Sequence, residues 1–170
     1  MARESGSAPE EGDRTSARTW SREEEDSLRL WIALARCYAT VAREVATRVS
    51  EYGLTTPQFG VLEALYHLGP LSLGELADKL LVTGGNITYV MDRLEKDGLV
   101  ERDRSGPDRR VVTARLTDRG AERIRQVFPG HAEFIHELTR GLEARERRTL
   151  RSLLKKWGLG LAEAEGGEAG

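Results

Sequence analysis

The chain has 170 residues, of which 39% are hydrophobic, and this is enough for one domain of ordinary size with a buried core. Its formal net charge of −2 at pH 7 argues against a protein that coats nucleic acid through charge alone. A single cysteine excludes an internal disulfide framework, and no apolar run is long enough to span a membrane, so we expect a cytoplasmic protein without a membrane partner.

Residues 1–20 are rich in glycine, serine, proline and charged side chains. Such a composition buries too little apolar surface to offset the entropy cost of ordering, so we expect a disordered tail. An arm that contacts DNA or a partner subunit through Arg14, Arg18 and Trp20 is the alternative.

A long first helix is predicted from Ser21 to about Tyr52, and Ser21 and Glu24 form the pattern of a capping box at its start. Its apolar residues cover more than half of the circumference. This is more apolar surface than a helix needs to pack one side against its own domain. We expect this helix to pack on its own domain and on a second copy, with the central helix of a monomeric bundle as the alternative. Cys37 lies on the apolar face, which favours a buried and unreactive thiol.

The second helix is a scaffold that precedes a closely spaced helix pair. Thr56 is its expected cap, Pro57 its first helical residue, and the pair Gly69–Pro70 marks its end. Its side chains expected to face inward are Phe59, Leu62, Leu65 and Tyr66.

The helix pair lies between Ser72 and Lys96. Ser72 and Glu75 form another capping box, and Thr83 is placed to cap the second member of the pair. Gly98 follows as a stop signal. The apolar stripe of the second member is Ile87, Val90, Met91 and Leu94.

Two predicted strands follow the helix pair, at residues 99–102 and 111–116, joined by a charged loop that contains glycine and proline. Two short helices with a tight turn, followed by a hairpin with a basic tip, are typical of a winged helix-turn-helix. The expected fold class is therefore mainly α with a small β-hairpin wing.

The remaining chain is helical by pattern. Thr117 caps a helix in which Pro129–Gly130 predicts a kink or break, and Gly141–Leu142 marks its end. A last helix carries an apolar stripe, and a flexible tail is expected from Gly158 to residue 170. A single winged domain needs neither helix for its own core, so we assign residues 117–157, with residues 21–52, to a helical dimerisation bundle. The stripe of the last helix is Leu150, Leu153, Leu154 and Trp157.

The pattern favours binding of double-stranded DNA. A helix with one apolar and one polar face fits the major groove, where each base pair presents distinct donors and acceptors. Arginines at the wing tip suit a narrow minor groove, and Asp108 is expected to pair with Arg110 and orient it. A winged-helix protein-interaction module is the alternative. The residues expected to contact DNA are Ser72, Thr83, Gly84, Gly85, Asn86, Thr88, Tyr89, Arg93, Arg104, Asp108, Arg109 and Arg110.

The segments LTTPQFGVLEAL and GNITYVMDRLEKDGLVERDRSGPDRRVVTARLTDRG resemble the MarR family of regulators, and the similarity extends over about residues 28–157. The resemblance implies one MarR-type domain at 21–157, with a winged helix-turn-helix at about 56–117. It also implies a homodimer on a pseudo-palindromic operator, and a repressor that releases DNA when a small phenolic or aromatic ligand, or an oxidant, acts on it. Tyr89 stands where many members carry arginine, which leaves the base preference open.

Enzyme chemistry is not indicated. The chain contains no phosphate-binding glycine loop and no nucleophile or zinc-protease motif, and His131 and His136 diverge around a helix and make a poor metal pair. We therefore expect no catalytic residue, no metal and no cofactor. Thiol redox sensing through Cys37 is retained as an alternative mode of regulation.

The family resemblance implies an effector pocket between the dimer helices and the winged domain. Tyr38, Tyr66 and His67 are candidates for it, because they combine aromatic walls with hydrogen-bonding tips. Ordinary packing at a helix junction is the alternative for each of them.

Overall fold

The computed structural model describes residues 20–104 and 111–167, with side chains described as far as Leu161. The described chain falls into two units, one ending at Thr40 and one beginning at Val41. The predicted fold class, mainly helical with a small β-sheet, is confirmed. The elements are α1 (Arg22–Glu51), α2 (Thr56–Leu68), β1 (Leu71–Ser72), α3 (Leu73–Leu80), α4 (Gly84–Lys96), β2 (Val100–Asp103), β3 (Thr113–Leu116), α5 (Asp118–Leu138) and α6 (Ala144–Gly167).

The first helix begins where its capping box predicts. The N–H of Ser21 donates to the Glu24 carboxylate at 2.8 Å, and the N–H of Glu24 donates back to Ser21 Oγ at 3.1 Å. Helix α2 differs by one residue, because its cap is Thr55 and Thr56 is already helical. Gln58 completes this capping box, so the side chain three residues after the cap, rather than the proline, identifies the true start.

The two short helices also begin at the predicted caps. Ser72 and Glu75 form a reciprocal capping box at α3, and Thr83 Oγ1 accepts the Asn86 N–H at 3.3 Å at the start of α4. The turn between them contains Leu81, which adopts the left-handed conformation with φ of 52° and is 92% exposed. The sequence pattern did not predict this backbone conformation, which residues other than glycine rarely adopt.

The sheet has three antiparallel strands in the order β1–β3–β2. Strand β1 was not predicted, because two residues are too few to show an alternating pattern. It pairs Leu71 with Ala114, and the N–H of Leu73 donates to the carbonyl of Val112 at 3.0 Å. The hairpin strands are each shifted from the predicted bounds, β2 by one residue and the start of β3 by two, so Val111 and Val112 precede β3.

The core of the unit from Val41 onward lies between α2, the helix pair, the sheet and α5. The predicted stripe of α4 is buried, as are Phe59, Leu62 and Leu65 on α2. The inward position predicted for Tyr66 is wrong, because its side chain is 38% exposed. Tyr66 lies in the last turn of α2, at the edge of the core, where the Phe128 ring is a neighbour at 6.1 Å.

The last two helices differ from their predicted bounds, since α5 is shorter and α6 is longer than predicted. Helix α5 continues through Pro129, so the break that was one of the two predicted outcomes is absent from its assigned span. Proline removes one backbone donor, but Ile124 before it and His131 after it are both buried and hold the helix on both sides. Helix α5 ends at Leu138 rather than at Gly141, and α6 extends past Gly158 to Gly167. Within residues 20–104 and 111–167, no helix combines the length and apolar character needed to cross a membrane.

Candidate nucleic-acid interface

Helix α4 presents three longitudinal stripes with different surroundings. One stripe is the buried set that holds the helix on the domain. A second, formed by Thr88, Asp92 and Glu95, faces strand β2. The third is exposed and carries the polar and cationic side chains of a candidate DNA-reading face: Asn86, Tyr89, Arg93 and Lys96.

The exposed stripe combines hydrogen-bonding and cationic groups without a carboxylate. Tyr89 is 66% exposed, and Arg93 forms no ion pair among the described residues. Gly84 and Gly85 are exposed at the start of α4, where an added Cβ at either position would meet no described atom within 4 Å. The first turn can therefore approach a duplex closely, with its free N–H groups directed outward.

Other predicted contact residues already have intramolecular partners. The Thr88 hydroxyl donates to the Gly84 carbonyl at 2.9 Å, which leaves its methyl group and its lone pairs for DNA. Ser72 is half-buried, and its hydroxyl both donates to the Glu75 carboxylate and accepts the Glu75 N–H. The direct roles of these two residues stay predictions, and the structure favours a supporting role for Ser72.

Arg102 is the residue of this region that sequence reasoning missed. Its side chain is only 16% exposed and contacts α4 at three positions. Its Nη2 forms an ion pair with Asp92 Oδ1 at 2.7 Å and donates to the Thr88 carbonyl at 3.1 Å, and its Nη1 donates to Glu95 Oε2 at 2.7 Å. The available signal was a pair of carboxylates three residues apart on a helix, followed by an arginine in the next strand.

The wing is described at its base only. Arg104 is exposed at the end of β2, as its predicted role requires. Asp108, Arg109 and Arg110, together with the predicted pairing of Asp108 with Arg110, lie outside the described residues.

Helix α5 is anchored on the turn that joins α4 to the wing. The Thr117 hydroxyl donates to the Gly98 carbonyl at 2.7 Å, and the Thr117 N–H donates to the Leu99 carbonyl at 3.2 Å. Gly98 has a φ of 67°, which provides the predicted glycine stop. The end of α4, the wing base and α5 therefore share one junction.

Two of the three effector candidates lie together. The Tyr66 and His67 rings are 5.0 Å apart, and the His67 ring is 4.6 Å from that of Phe128. Tyr38 belongs to the unit that ends at Thr40 and is exposed there. Cys37 is exposed as well, so its predicted burial is wrong for a single chain, in which the surrounding face of α1 is uncovered.

His131 extends this aromatic cluster into the core. Its side chain is 7% exposed, its ring lies 4.4 Å from that of Phe59, and its Nδ1 has no hydrogen-bond partner among the described residues. Burial lowers the pKa of His131 because it removes water from the charged imidazolium; nearby Arg48 lowers the pKa further, while Glu63 opposes both. The imidazole is therefore held in its neutral form.

Comparison with known proteins agrees with this architecture. Residues 52–111 match the MarR family. Over 135 residues the chain is 38% identical to the HTH-type transcriptional regulator MhqR of Bacillus subtilis. The match covers 79% of this chain and 93% of MhqR. The chain belongs to the MarR family. The family resemblance found in the sequence is thereby confirmed.

Solved structures of DNA-binding proteins share this fold. A mutant MarR of E. coli, crystallised with operator DNA, is 31% identical with a TM-score of 0.69, covering 80% of this chain and 98% of that one. Bordetella bronchiseptica BpsR, solved in a study of how 6-hydroxynicotinic acid regulates its DNA binding, is 25% identical with a TM-score of 0.66. That match covers 76% of this chain and 98% of BpsR.

Proposed function

We propose that this MarR-family protein, a DNA-binding transcriptional regulator, represses transcription by binding a pseudo-palindromic operator as a homodimer. The observation that carries the proposal is helix α4, whose buried stripe fixes it to the domain while Asn86, Tyr89 and Arg93 form an exposed stripe. The major groove accommodates such a helix, and side-chain amides, hydroxyls and guanidinium groups distinguish base edges there. Arg93 and Lys96 are suited to phosphate.

The homodimer is supported by apolar side chains that a single chain leaves exposed. On α1 these include Leu28, Trp31 and Ile32, and on α6 they include Leu153 and Trp157. Contiguous exposed apolar residues on a soluble chain mark an interaction surface. A second copy is the expected occupant, because a two-fold dimer places two recognition helices about 34 Å apart, one turn of B-DNA.

A small aromatic or phenolic effector is proposed to weaken operator binding. The support is the exposed pair Tyr66 and His67 beside Phe128, which offers ring faces and hydrogen-bonding tips together. The BpsR precedent concerns a hydroxylated aromatic acid. Effector binding would be tested by titrating the protein–operator complex with a panel of hydroxylated aromatic acids, including 6-hydroxynicotinic acid, with the wild type compared with His67→Ala.

Operator binding is tested by selecting sites from a random duplex library and titrating the best site by mobility shift. A duplex of scrambled sequence serves as the control, and both are titrated at two salt concentrations. We expect one dimer per site, selective for the selected sequence, with affinity that falls as salt rises because phosphate contacts release counterions. Equal affinity for selected and scrambled duplexes would contradict sequence-specific recognition.

A further inference from the structure

We propose that Arg102 is a positioning residue for DNA recognition: it locks the recognition helix α4 to the base of the wing without contacting DNA itself. The proposal rests on the proposed DNA-binding function and adds a residue to it. The three contacts of Arg102 on Thr88, Asp92 and Glu95 are spread over two turns of α4. They therefore resist both rotation of the helix about its axis and sliding along the strand.

The side chain reaches α4 because of the register of strand β2. Side chains alternate between the two faces of a strand, so Val100 and Arg102 point to the same side. Val100 is 1% exposed and packs in the core, and Arg102 continues that face toward α4. The N–H of Arg102 also donates to Glu95 Oε1 at 3.3 Å, so both its backbone and its side chain hold the same carboxylate.

Direct phosphate binding by Arg102 does not agree with this geometry. Its planar guanidinium is engaged by two carboxylates and a carbonyl oxygen, an arrangement that suits the fixed fork of arginine donors. Arg93, by contrast, is exposed on the neighbouring stripe of the same helix and has no ion pair among the described residues. One arginine is therefore free for the duplex, and the other is committed to the protein.

The contacts of Arg102 with Thr88, Asp92 and Glu95, here called the Arg102 clamp, also determine where the two negative charges of α4 lie. Asp92 and Glu95 flank the exposed stripe and would repel phosphate if they turned toward DNA. Arg102 neutralises part of this charge and draws both carboxylates toward the wing base. Loss of Arg102 would therefore loosen the helix and release two carboxylates beside the duplex, and these two effects need separate variants.

The experiment compares wild type, Arg102→Met, Arg102→Lys and the triple variant Arg102→Met/Asp92→Asn/Glu95→Gln. Affinity for the selected operator and for its scrambled control is measured across a salt series. Arg102→Met is expected to lose operator affinity by roughly tenfold or more, since each charged hydrogen bond contributes measurably. Lysine retains the charge but not the fork and is expected to restore only part of the affinity. The triple variant has no carboxylate to release, so charge repulsion cannot explain a defect in it. It is still expected to show most of the loss of operator selectivity seen in Arg102→Met.

Two readouts separate positioning from simpler roles. The slope of log affinity against log salt is expected to match that of wild type in the triple variant, whereas a slope smaller by about one would show a direct phosphate contact and overturn the proposal. Wild-type affinity of the triple variant would also overturn it, by reducing the role of Arg102 to charge compensation. Arg125→Met, which removes an exposed ion pair with Glu122 on α5, is the matched control and is expected to bind as wild type.

Amide hydrogen exchange of α4 in the free protein tests the clamp without DNA. We expect faster exchange over residues 88–96 in Arg102→Met and in Arg102→Lys, and no change in Arg125→Met. If wild type selects no operator, the proposed function fails and the DNA role of Arg102 fails with it. If wild type selects an operator but exchange and selectivity are unchanged in the Arg102 variants, only the positioning proposal fails.

Discussion

Gly120 occupies a position with no room for a side chain. A Cβ there would lie 1.8 Å from the carbonyl oxygen of Leu99, and the contact is with backbone that cannot rotate away. Because glycine has only a hydrogen at this position, the first turn of α5 can lie against the backbone of Leu99. The glycine of the sequence T-D-R-G is therefore required for close approach, not for an unusual backbone angle.

Gly120→Ala is expected to lower the free energy of unfolding by about 3 kcal/mol or more, because the overlap forces α5 away from the Leu99 turn. Chemical denaturation of the purified variant measures the change. Gly130→Ala is the matched control in the same helix, since its nearest neighbour, the Tyr52 hydroxyl, would be 4.0 Å from the new Cβ. Equal stability of the two variants would contradict the proposed packing.

His131 makes the free energy of unfolding depend on pH. Its pKa is lowered in the folded chain from the ordinary value of 6.5 by burial and, to a lesser extent, by Arg48, whereas Glu63 acts in the opposite direction. As pH falls below 6.5 the unfolded chain binds the proton first, so folding stability decreases until the lowered pKa is passed. Above pH 6.5 the imidazole is neutral in both states and makes no such contribution.

His131→Leu is expected to remove this part of the pH dependence. Wild type should lose stability from pH 7.5 to pH 5 more steeply than the variant, by at most about 1.4 kcal/mol per pH unit for one group. Denaturation curves at several pH values give the slopes. Parallel slopes for wild type and His131→Leu would refute the assignment.

At the scale of an element, the turn between α3 and α4 stores backbone strain. Leu81 has a left-handed conformation in which its Cβ crowds the neighbouring carbonyl, while its exposed side chain contributes little packing. Leu81→Gly is expected to raise the free energy of unfolding by about 1 kcal/mol. Leu81→Ala keeps the Cβ and the strain, so no comparable gain is expected. A gain for alanine equal to that for glycine in thermal denaturation would exclude backbone strain as the cause.

The elements that the sequence predicted well are those whose signals are local. Thr83 and the stripe containing Ile87 and Met91 define α4, because a cap and a 3.6-residue period are both contained within the helix. The sequence left open whether Pro129 kinks or breaks α5, because burial on either side, a tertiary effect, compensates for one lost hydrogen bond. The Arg102 clamp was missed for the same reason, since its contacts lie seven to fourteen residues away along the chain.

For the candidate site, the sequence predicted which residue types lie on α4 but not which stripe each one faces. The division between Thr88, held toward the wing, and Tyr89, free in solvent, depends on where strand β2 returns to the helix. The exposure of Cys37 was mispredicted because an apolar face in a sequence does not reveal whether the same chain or another copy covers it.

At the scale of the whole molecule, the apolar stripe of α6 is expected to hold a dimer together. Leu153→Glu places a charge on that stripe, where burial without a partner is strongly unfavourable, and should raise the dimer dissociation constant at least about a hundredfold. Analytical ultracentrifugation measures the shift. Ser152→Glu adds the same charge to the opposite side of α6 and should remain dimeric. If both variants remain dimers in the ultracentrifuge, the dimer contact does not lie on the apolar stripe of α6.

The strand order β1–β3–β2 has a consequence for the synthesis of the chain. Strand β1 directly precedes α3, yet its partner residue Ala114 is more than forty residues further along the chain. Ala114 belongs to β3, which lies between β1 and β2 in the sheet. The ribosome must therefore release the chain beyond Leu116 before the sheet can close around β3. Until then α4, the proposed recognition helix, has no complete wing against which Arg102 can hold it, so a nascent or truncated chain that stops short of β3 is expected to bind operator DNA more weakly than the finished protein.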